Sequence, residues 1–466
     1  MPVNRRNLPA VPSLPLPYRS DSCTWFQALR ALPCPVFLDS GPAGPNRGRF
    51  DILCAAPRCR VLSINGNTWR QNPDGSRELL QGTPFQALQG VLEAEGFTPP
   101  LAEDNASTVP FNGGALGYFG YDLGRRPMAL PATAKADIGL PDMNLGIYPW
   151  AVVVDHHRRH CELVGQVDEK ALEAVAEQLL AASSLPGAGF RLSTKFTSNL
   201  DREAYQERFQ RVKDYILAGD CYQVNLAQRF SATYEGDTWT AYQRLRTAAP
   251  TPFSAYLELP EGAVLSLSPE RFLQSDGQRV ESKPIKGTRP RGASPHDDAR
   301  LRDALLSSVK DRAENLMIVD LLRNDLGKTC RTGSVRVPSL FAVESYANVH
   351  HLVSTVEGQL QRARDALPLL EGAFPGGSIT GAPKRRAMEI IEELEPHRRN
   401  VYCGSIGYLG FSGRMDTSIC IRTLVAEGNR LHCWAGGGLV ADSDCETEYQ
   451  ETLTKVGNLL HCLEQA

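Results

Sequence analysis

Two hydrophobic periodicities divide the chain. In its first half, short apolar runs are broken by glycine, proline and asparagine: VFLDS at 36–40, RFDILCAAP at 49–57 and CRVLSINGNTW at 59–69. Such runs, bounded by turn formers, predict strands in antiparallel meanders, with Asn65-Gly66-Asn67 turning a hairpin. WAVVVDHHRRHCELVG at 150–165 predicts another hairpin, turning near Arg158 and Arg159. Helices are predicted over 84–95 and 169–182. Between them, PFNGGALGYFGYDLGRR at 110–126 has glycines too irregular for a dinucleotide fingerprint and lacks a βαβ context, so close packing of strand backbones is their expected role. The best linker in the chain is SSLPGAGFRLSTKFTSN, and the boundary between halves is drawn over 186–199.

The second half opens with a helix signal: Ser198, Asn199 and Asp201 offer caps, Tyr205, Phe209, Val212 and Ile216 recur at helical spacing, and Gly219 stops the run. CYQVNLAQRF sets Tyr222, Val224 and Leu226 against Gln223, Asn225 and Gln228, which reads as a strand with one polar face. VLSLSPERF at 264–272 is a second strand, and Glu270 sits where it gives way. Then PIKGTRPRG at 284–292, with two prolines and two glycines, predicts an irregular loop carrying Lys286, and a long helical stretch follows over 295–327. FPGGSITGAPKRRAMEIIEELEP at 374–396 predicts a glycine-rich loop feeding a helix that starts near Ala382-Pro383.

Composition narrows the partners more than the fold. The 466 residues suffice for two or three domains, or for one large unit built from two halves. Fifty basic against 53 acidic residues leave a net charge of -3, so no global field favours nucleic acid or an anionic membrane. The proline-rich lead-in over 1–20 is expected to be mobile and lacks the apolar run of a signal peptide; no window reaches a membrane span, and a cytoplasmic protein is expected. Its twelve cysteines stand singly, without CxxC pairs, which argues against structural zinc and a disulfide framework.

The candidate chemistry lies in the second half. A lone lysine is ordinarily a solvated one, but Lys286 stands beside Arg289 and Arg291, and desolvation among cations would make it a nucleophile. Glu270 alone would be a surface ion-pair partner. Asp311 and Glu314 lie three apart on one helix, as do Glu448 and Glu451, with Lys455 on the same face. Two such pairs brought face to face repel unless a hard cation sits between them, and oxygen-only ligands favour magnesium over zinc. Gly376, Gly377 and Gly381 before a helix, Gly436, Gly437 and Gly438 after a strand, and Arg422 nearby describe a seat for a small, multiply anionic molecule.

These segments also carry a resemblance. CYQVNLAQRF, SLSPERF, PIKGTRPRG, KDRAENLMIVDLLRNDLG, HHLVSTVEG, FPGGSITGAPKRRAMEII, GSIGY, IRTL and AGGGLVADSDCETEYQETLTK resemble the chorismate-binding enzymes across nearly all of 200–466, and 21–185 resembles the N-terminal part of the synthase branch. The resemblance implies an α+β fold, with large antiparallel sheets packed as a sandwich, helices outside, and both halves in one compact unit. Gln223 stands where water-activating members carry lysine, which implies an amine nucleophile. PIKGT, where anthranilate-forming members read PIAGT, implies amination of chorismate to 4-amino-4-deoxychorismate on the way to 4-aminobenzoate and folate. Anthranilate formation is the near alternative, a non-catalytic anion sensor the distant one.

By the same resemblance Lys286 attacks the ring covalently, Glu270 moves protons, and Gln223, Thr288, His351, Thr380, Tyr408, Arg422, Gly436, Gly438 and Lys455 contact substrate. Magnesium is implied between Glu314 and Glu451, with Asp311 and Glu448 reaching it through water. Ammonia is implied to come from a separate glutamine amidotransferase, since no GxCxG elbow is present. A tryptophan at Ser40, Pro252, Phe253 and Ser254 is implied by some members, although Asn46 and Arg47 stand where aromatic lining is expected.

Overall fold

Strand alternation sets the layers of this protein. The computed structural model describes residues 11–44, 47–97, 109–182, 189–346 and 349–465. Among them, a 13-stranded antiparallel sheet runs from Ser13–Leu16 through Trp150–Asp155, Val36–Asp39, Phe253–Leu259, Gly262–Ser268 and Arg430–Leu439 to Gln223–Gly236 and its neighbours. A 12-stranded antiparallel sheet runs from Ile285–Pro290 through Arg271–Ser275, Ser405–Gly410 and Gly114–Phe119 to Arg77–Leu80. Val36, Ile52, Val153, Ala255 and Leu257 face the second sheet and share a core with Val61, Leu116, Ile406 and Phe272. Their strand neighbours Phe37, Leu53, Val152, Val154 and Tyr256 face the other way, onto helices Cys23–Leu29, Glu169–Ala181, Thr238–Ala248 and Cys445–Glu464. Both faces of the first sheet are therefore covered, which is why WAVVV is apolar without alternation.

The halves are woven together. In the first sheet Val36–Asp39 pairs with Phe253–Leu259, and in the second Gly114–Phe119 pairs with Ser405–Gly410. Close backbone approach explains the glycine-rich segment before Arg126: at Gly117, with φ near 157°, a Cβ would lie 2.1 Å from the Asn144 carbonyl oxygen. The expected α+β sandwich with outer helices is the observed fold.

Five local expectations change. Residues 284–292 hold an edge strand, Ile285–Pro290, rather than a loop; Pro290, opposite Val349, is tolerated as the last residue of an edge strand, and a register shift between Ile285 and Thr288, with Gly287 at φ 78°, takes up the irregularity. The stretch over 295–327 is two helices, Pro295–Ser307 and Val309–Gly327, broken at Ser308, whose side chain accepts from the Asp311 N–H and caps the second. Gln228 shares the Val224 and Leu226 side of its strand, as even numbering requires, and bonds Ser198 and Thr452. Within the lead-in, residues 1–10 lie outside the described residues, whereas Ser13–Leu16 forms a strand against His160–Gly165 and buries Leu16. Part of the linker, 186–188, is likewise outside them; Phe190–Leu192 and Thr197–Ser198 pair with the Gln223–Gly236 strand. Among the described residues no helix is long and apolar enough to cross a membrane.

Candidate active site

One corner of the chain positions the centre of the site. Ser268-Pro269-Glu270-Arg271 is where the chain leaves the first sheet and enters the second, since Gly262–Ser268 belongs to one and Arg271–Ser275 to the other. The corner leaves Glu270 buried beside a cavity of about 680 Å³. The bulged edge strand brings Lys286 to the same cavity, which also meets Thr288, Asp311, Glu314, His351, Arg422, Gly436, Gly438, Glu448, Glu451 and Lys455. Segments more than 150 residues apart in the sequence thus converge on one space.

Burial shapes the chemistry. It pushes the Glu270 carboxyl up to about 7, against the opposing pull of Lys286, and pushes the Lys286 ammonium below the ordinary lysine range, against Glu314 and Glu270. Both groups are thus shifted toward their neutral forms. Ser378 bridges them: its carbonyl accepts from Lys286 Nζ at 3.5 Å, and its hydroxyl donates to Glu270 Oε1 at 3.5 Å. A carboxyl that holds its proton toward pH 7, beside an amine whose charged form is disfavoured, can supply a proton donor and a nucleophile in one chamber.

Cationic and hydrogen-bonding groups line the rest. Arg422, at φ 51°, is held below the usual guanidinium range by burial alone, and among the described residues no carboxylate pairs with it. A half-buried guanidinium with no carboxylate partner among the described residues suits a carboxylate ligand. Lys455 donates to the Gly436 carbonyl at 2.9 Å. His351 Nδ1 lies 2.9 Å from Thr288 Oγ1, and burial with the nearby Arg422 charge favours its neutral ring.

The four carboxylates form an all-oxygen set, the type a hard divalent cation takes. Three are held by a neighbour: Glu451 by Lys455 at 2.6 Å, Glu448 by Ser443 at 2.7 Å and Lys310 at 3.7 Å, Asp311 by Arg289 at 2.8 Å. Burial raises the Glu314 carboxyl, with Lys286 and Lys310 opposing and Asp311 and Glu448 adding to the rise. Among the described residues no three His, Cys, Asp or Glu side chains converge tightly enough to hold a metal as they stand. The donors fit magnesium in kind, with the lysines now supplying the countercharge.

Three expected contacts lie elsewhere. Tyr408 lines the other large cavity, because Ile406, Gly407 and Tyr408 run through the middle of the second sheet away from Lys286. Gln223 is fully buried behind Gly438, neither of its amide atoms having a partner, and Thr380 is buried with its hydroxyl on the Gly376 carbonyl. Conversely, Asn225, Lys310, Ser378, Tyr402 and Trp434 line the reaction cavity without having been singled out for it. Tyr402 lies six residues before Tyr408, upstream of GSIGY, so that motif gives no signal for it.

The second cavity, about 780 Å³, lies between the sheets and is lined by Ser40, Pro252, Phe253 and Ser254 together with Asp39, Arg271, Tyr408 and Asp416. Asn46 lies outside the described residues; Arg47 reaches Ser20 and Asp51.

Comparison with known proteins gives a consistent picture. The sequence profile of chorismate binding enzymes matches residues 35–461. The chain is 51% identical to aminodeoxychorismate synthase component 1 of Escherichia coli K12, over 98% of this chain and 99% of that one. It is 44% identical to anthranilate synthase component 1 of Thermus thermophilus, over 93% of each. The crystal structure of anthranilate synthase component I from Streptococcus pneumoniae TIGR4 superposes with a TM-score of 0.77 at 30% identity, covering 90% of this chain and 93% of that one.

Proposed function

The chain belongs to the chorismate-binding enzyme family, and from that premise we propose that it aminates chorismate at C4, yielding 4-amino-4-deoxychorismate for 4-aminobenzoate and folate synthesis. The observation that carries the reading is the lysine of PIKGT standing in the cavity within reach of Ser378 and beside a carboxyl raised to about 7. Arg422 and Lys455 hold the two carboxylates of chorismate. Neutral Lys286 Nζ bonds to C2; the ring double bonds shift and the C4–O bond breaks, the hydroxyl taking the Glu270 proton and leaving as water. Ammonia then bonds to C4, the C2–N bond breaks, Lys286 is regenerated, and the proton shed by nitrogen returns to Glu270. One ammonia enters and one water leaves.

Glu314 and Glu451, supported by Asp311 and Glu448, would hold magnesium, which when bound supplies a positive anchor for a ring carboxylate. The chain receives ammonia from a separate glutamine amidotransferase; the name "component 1" carried by its relatives accords with a second subunit. Incubation with chorismate, Mg2+ and ammonium, followed by an aminodeoxychorismate lyase, yields 4-aminobenzoate. Fluorescent anthranilate appearing without the lyase would overturn the reading in favour of C2 amination. Glutamine replaces ammonium only when a glutaminase subunit is added.

A second reading concerns the other cavity. It brings Ser40, Pro252, Phe253 and Ser254 around a space sized for an aromatic amino acid, with Arg271 over the Phe253 ring at 5.1 Å. It is assigned to tryptophan. Calorimetric titration with tryptophan tests it, and heat that persists unchanged in Ser40→Phe would refute the location.

A further inference from the structure

Arg399 touches neither of the two reactive groups, yet it is fastened to the wall that holds them. Its side chain is 1% exposed. The guanidinium donates from Nη1 to the Ile379 carbonyl at 2.9 Å and from Nη2 to the Asn225 carbonyl at 2.6 Å. It also donates to both oxygens of Glu395, Nε to Oε2 at 2.9 Å and Nη2 to Oε1 at 2.6 Å, while the same carboxylate accepts from the Ala227 N–H at 2.9 Å. Its plane lies against two rings, 4.8 Å from the Tyr121 centroid and 5.6 Å from that of Tyr402.

Three of these neighbours, Asn225, Ile379 and Tyr402, line the reaction cavity. Ile379 follows Ser378, whose carbonyl and hydroxyl reach Lys286 and Glu270. Asn225 is paired in the ladder with Gly438 and its N–H donates to the Thr380 carbonyl, so one guanidinium locks the turn at 377–379 to the strand that faces the glycine cluster. A fully buried charge satisfied by two carbonyls and a bidentate carboxylate has one geometry available to it.

We infer that Arg399 is a positioning residue: it sets the register of the Ser378 turn against the Asn225 strand, and through Ser378 the placement of Lys286 and Glu270 relative to bound chorismate. Nothing in this requires contact with substrate. The inference rests on the reading of the cavity as a chorismate site, not on which product leaves it. A displacement of about 1 Å in such a wall is enough to cost on the order of a hundredfold in rate while leaving ground-state binding little changed.

Removing the arginine alone would strand Glu395 as a buried charge and threaten folding. The variant of choice is therefore Arg399→Met with Glu395→Gln, compared with Arg399→Lys and wild type, each at a temperature where circular dichroism and denaturant titration show it fully folded. The readouts are chorismate consumption with ammonium, whichever product forms, and Lys286 adduct formation with ammonia withheld. The double variant is expected to lose 10- to 100-fold in kcat and in adduct rate with KM for chorismate changed less than threefold, and Arg399→Lys to recover part of the loss. A folded double variant with wild-type kcat, a loss confined to KM, or a loss that tracks only its unfolded fraction would overturn the inference. If wild type itself consumes no chorismate, the functional reading fails first and separately.

Discussion

At the scale of single residues, Glu270 gives the sharpest expectations. Its folded-state value near 7 lies above that of an unfolded glutamate, so the folded chain keeps a proton that the unfolded chain releases. The sign follows: Glu270 carries no penalty below about pH 4, and its ionisation weakens the fold as pH rises through 7. Glu270→Gln is predicted to stabilise the protein at pH 8, by roughly 2 to 3 kcal/mol, and to leave it little changed at pH 4; denaturant titration at the two values checks this. The same variant is predicted to lose about 10²- to 10⁴-fold in turnover, the usual worth of a positioned proton donor. Stability and activity pull against each other at this residue. Residues also mark the limit of what sequence conveys. PIKGTRPRG and SLSPERF are long enough to single out Lys286 and Glu270, but GSIGY points only to Tyr408; Tyr402, in the turn before that strand, lines the cavity with Lys286, and the pattern of the segment does not separate that cavity from the one between the sheets.

Elements show how residues of one cavity can be picked out despite partly wrong local structure. The helix at Arg202–Leu217, capped by Asp201, and the hairpins turning at Asn65-Gly66 and near Arg159 follow from caps, spacing and turn residues. PIKGTRPRG does not, because its prolines and glycines read the same in a loop and in a bulged edge strand; only its partner, Val349–Gln359, decides between them. The break at Ser308 is hidden for a similar reason, since a serine within a helical run is also a cap. Here it caps the helix that carries Asp311 and Glu314. Ser308→Ala is predicted to cost about 1 kcal/mol in denaturant stability and to weaken magnesium binding as the first turn frays. Mg2+ is predicted to raise the melting temperature of the wild-type chain and Glu314→Gln to abolish that rise, a readout independent of turnover.

For the whole molecule, the two halves drawn from sequence share both sheets. Each sheet is stitched across the boundary, by Val36–Asp39 with Phe253–Leu259 and by Gly114–Phe119 with Ser405–Gly410, and a period-two pattern predicts a strand without naming its partner. A chain beginning at residue 200 would expose those seams, so it is predicted to be insoluble or molten alone and to become folded when co-expressed with 1–199. Near-ultraviolet circular dichroism and solubility check this; a cooperatively folded fragment would show the seams to be dispensable.

What the woven sheets achieve is a chamber in which burial disfavours the charged forms of an amine and a carboxyl, and the central claim is that the amine, Lys286, bonds to the substrate. Its most direct test is intact and peptide mass spectrometry after exposure to chorismate and Mg2+ with ammonia withheld, sampled across pH. The account predicts a mass increase of chorismate less one water on the peptide carrying Lys286, forming more slowly as pH rises above about 7 and Glu270 ionises, released on adding ammonium, and absent in Lys286→Ala. An unmodified Lys286 under conditions where the same preparation turns over chorismate with ammonium would contradict it.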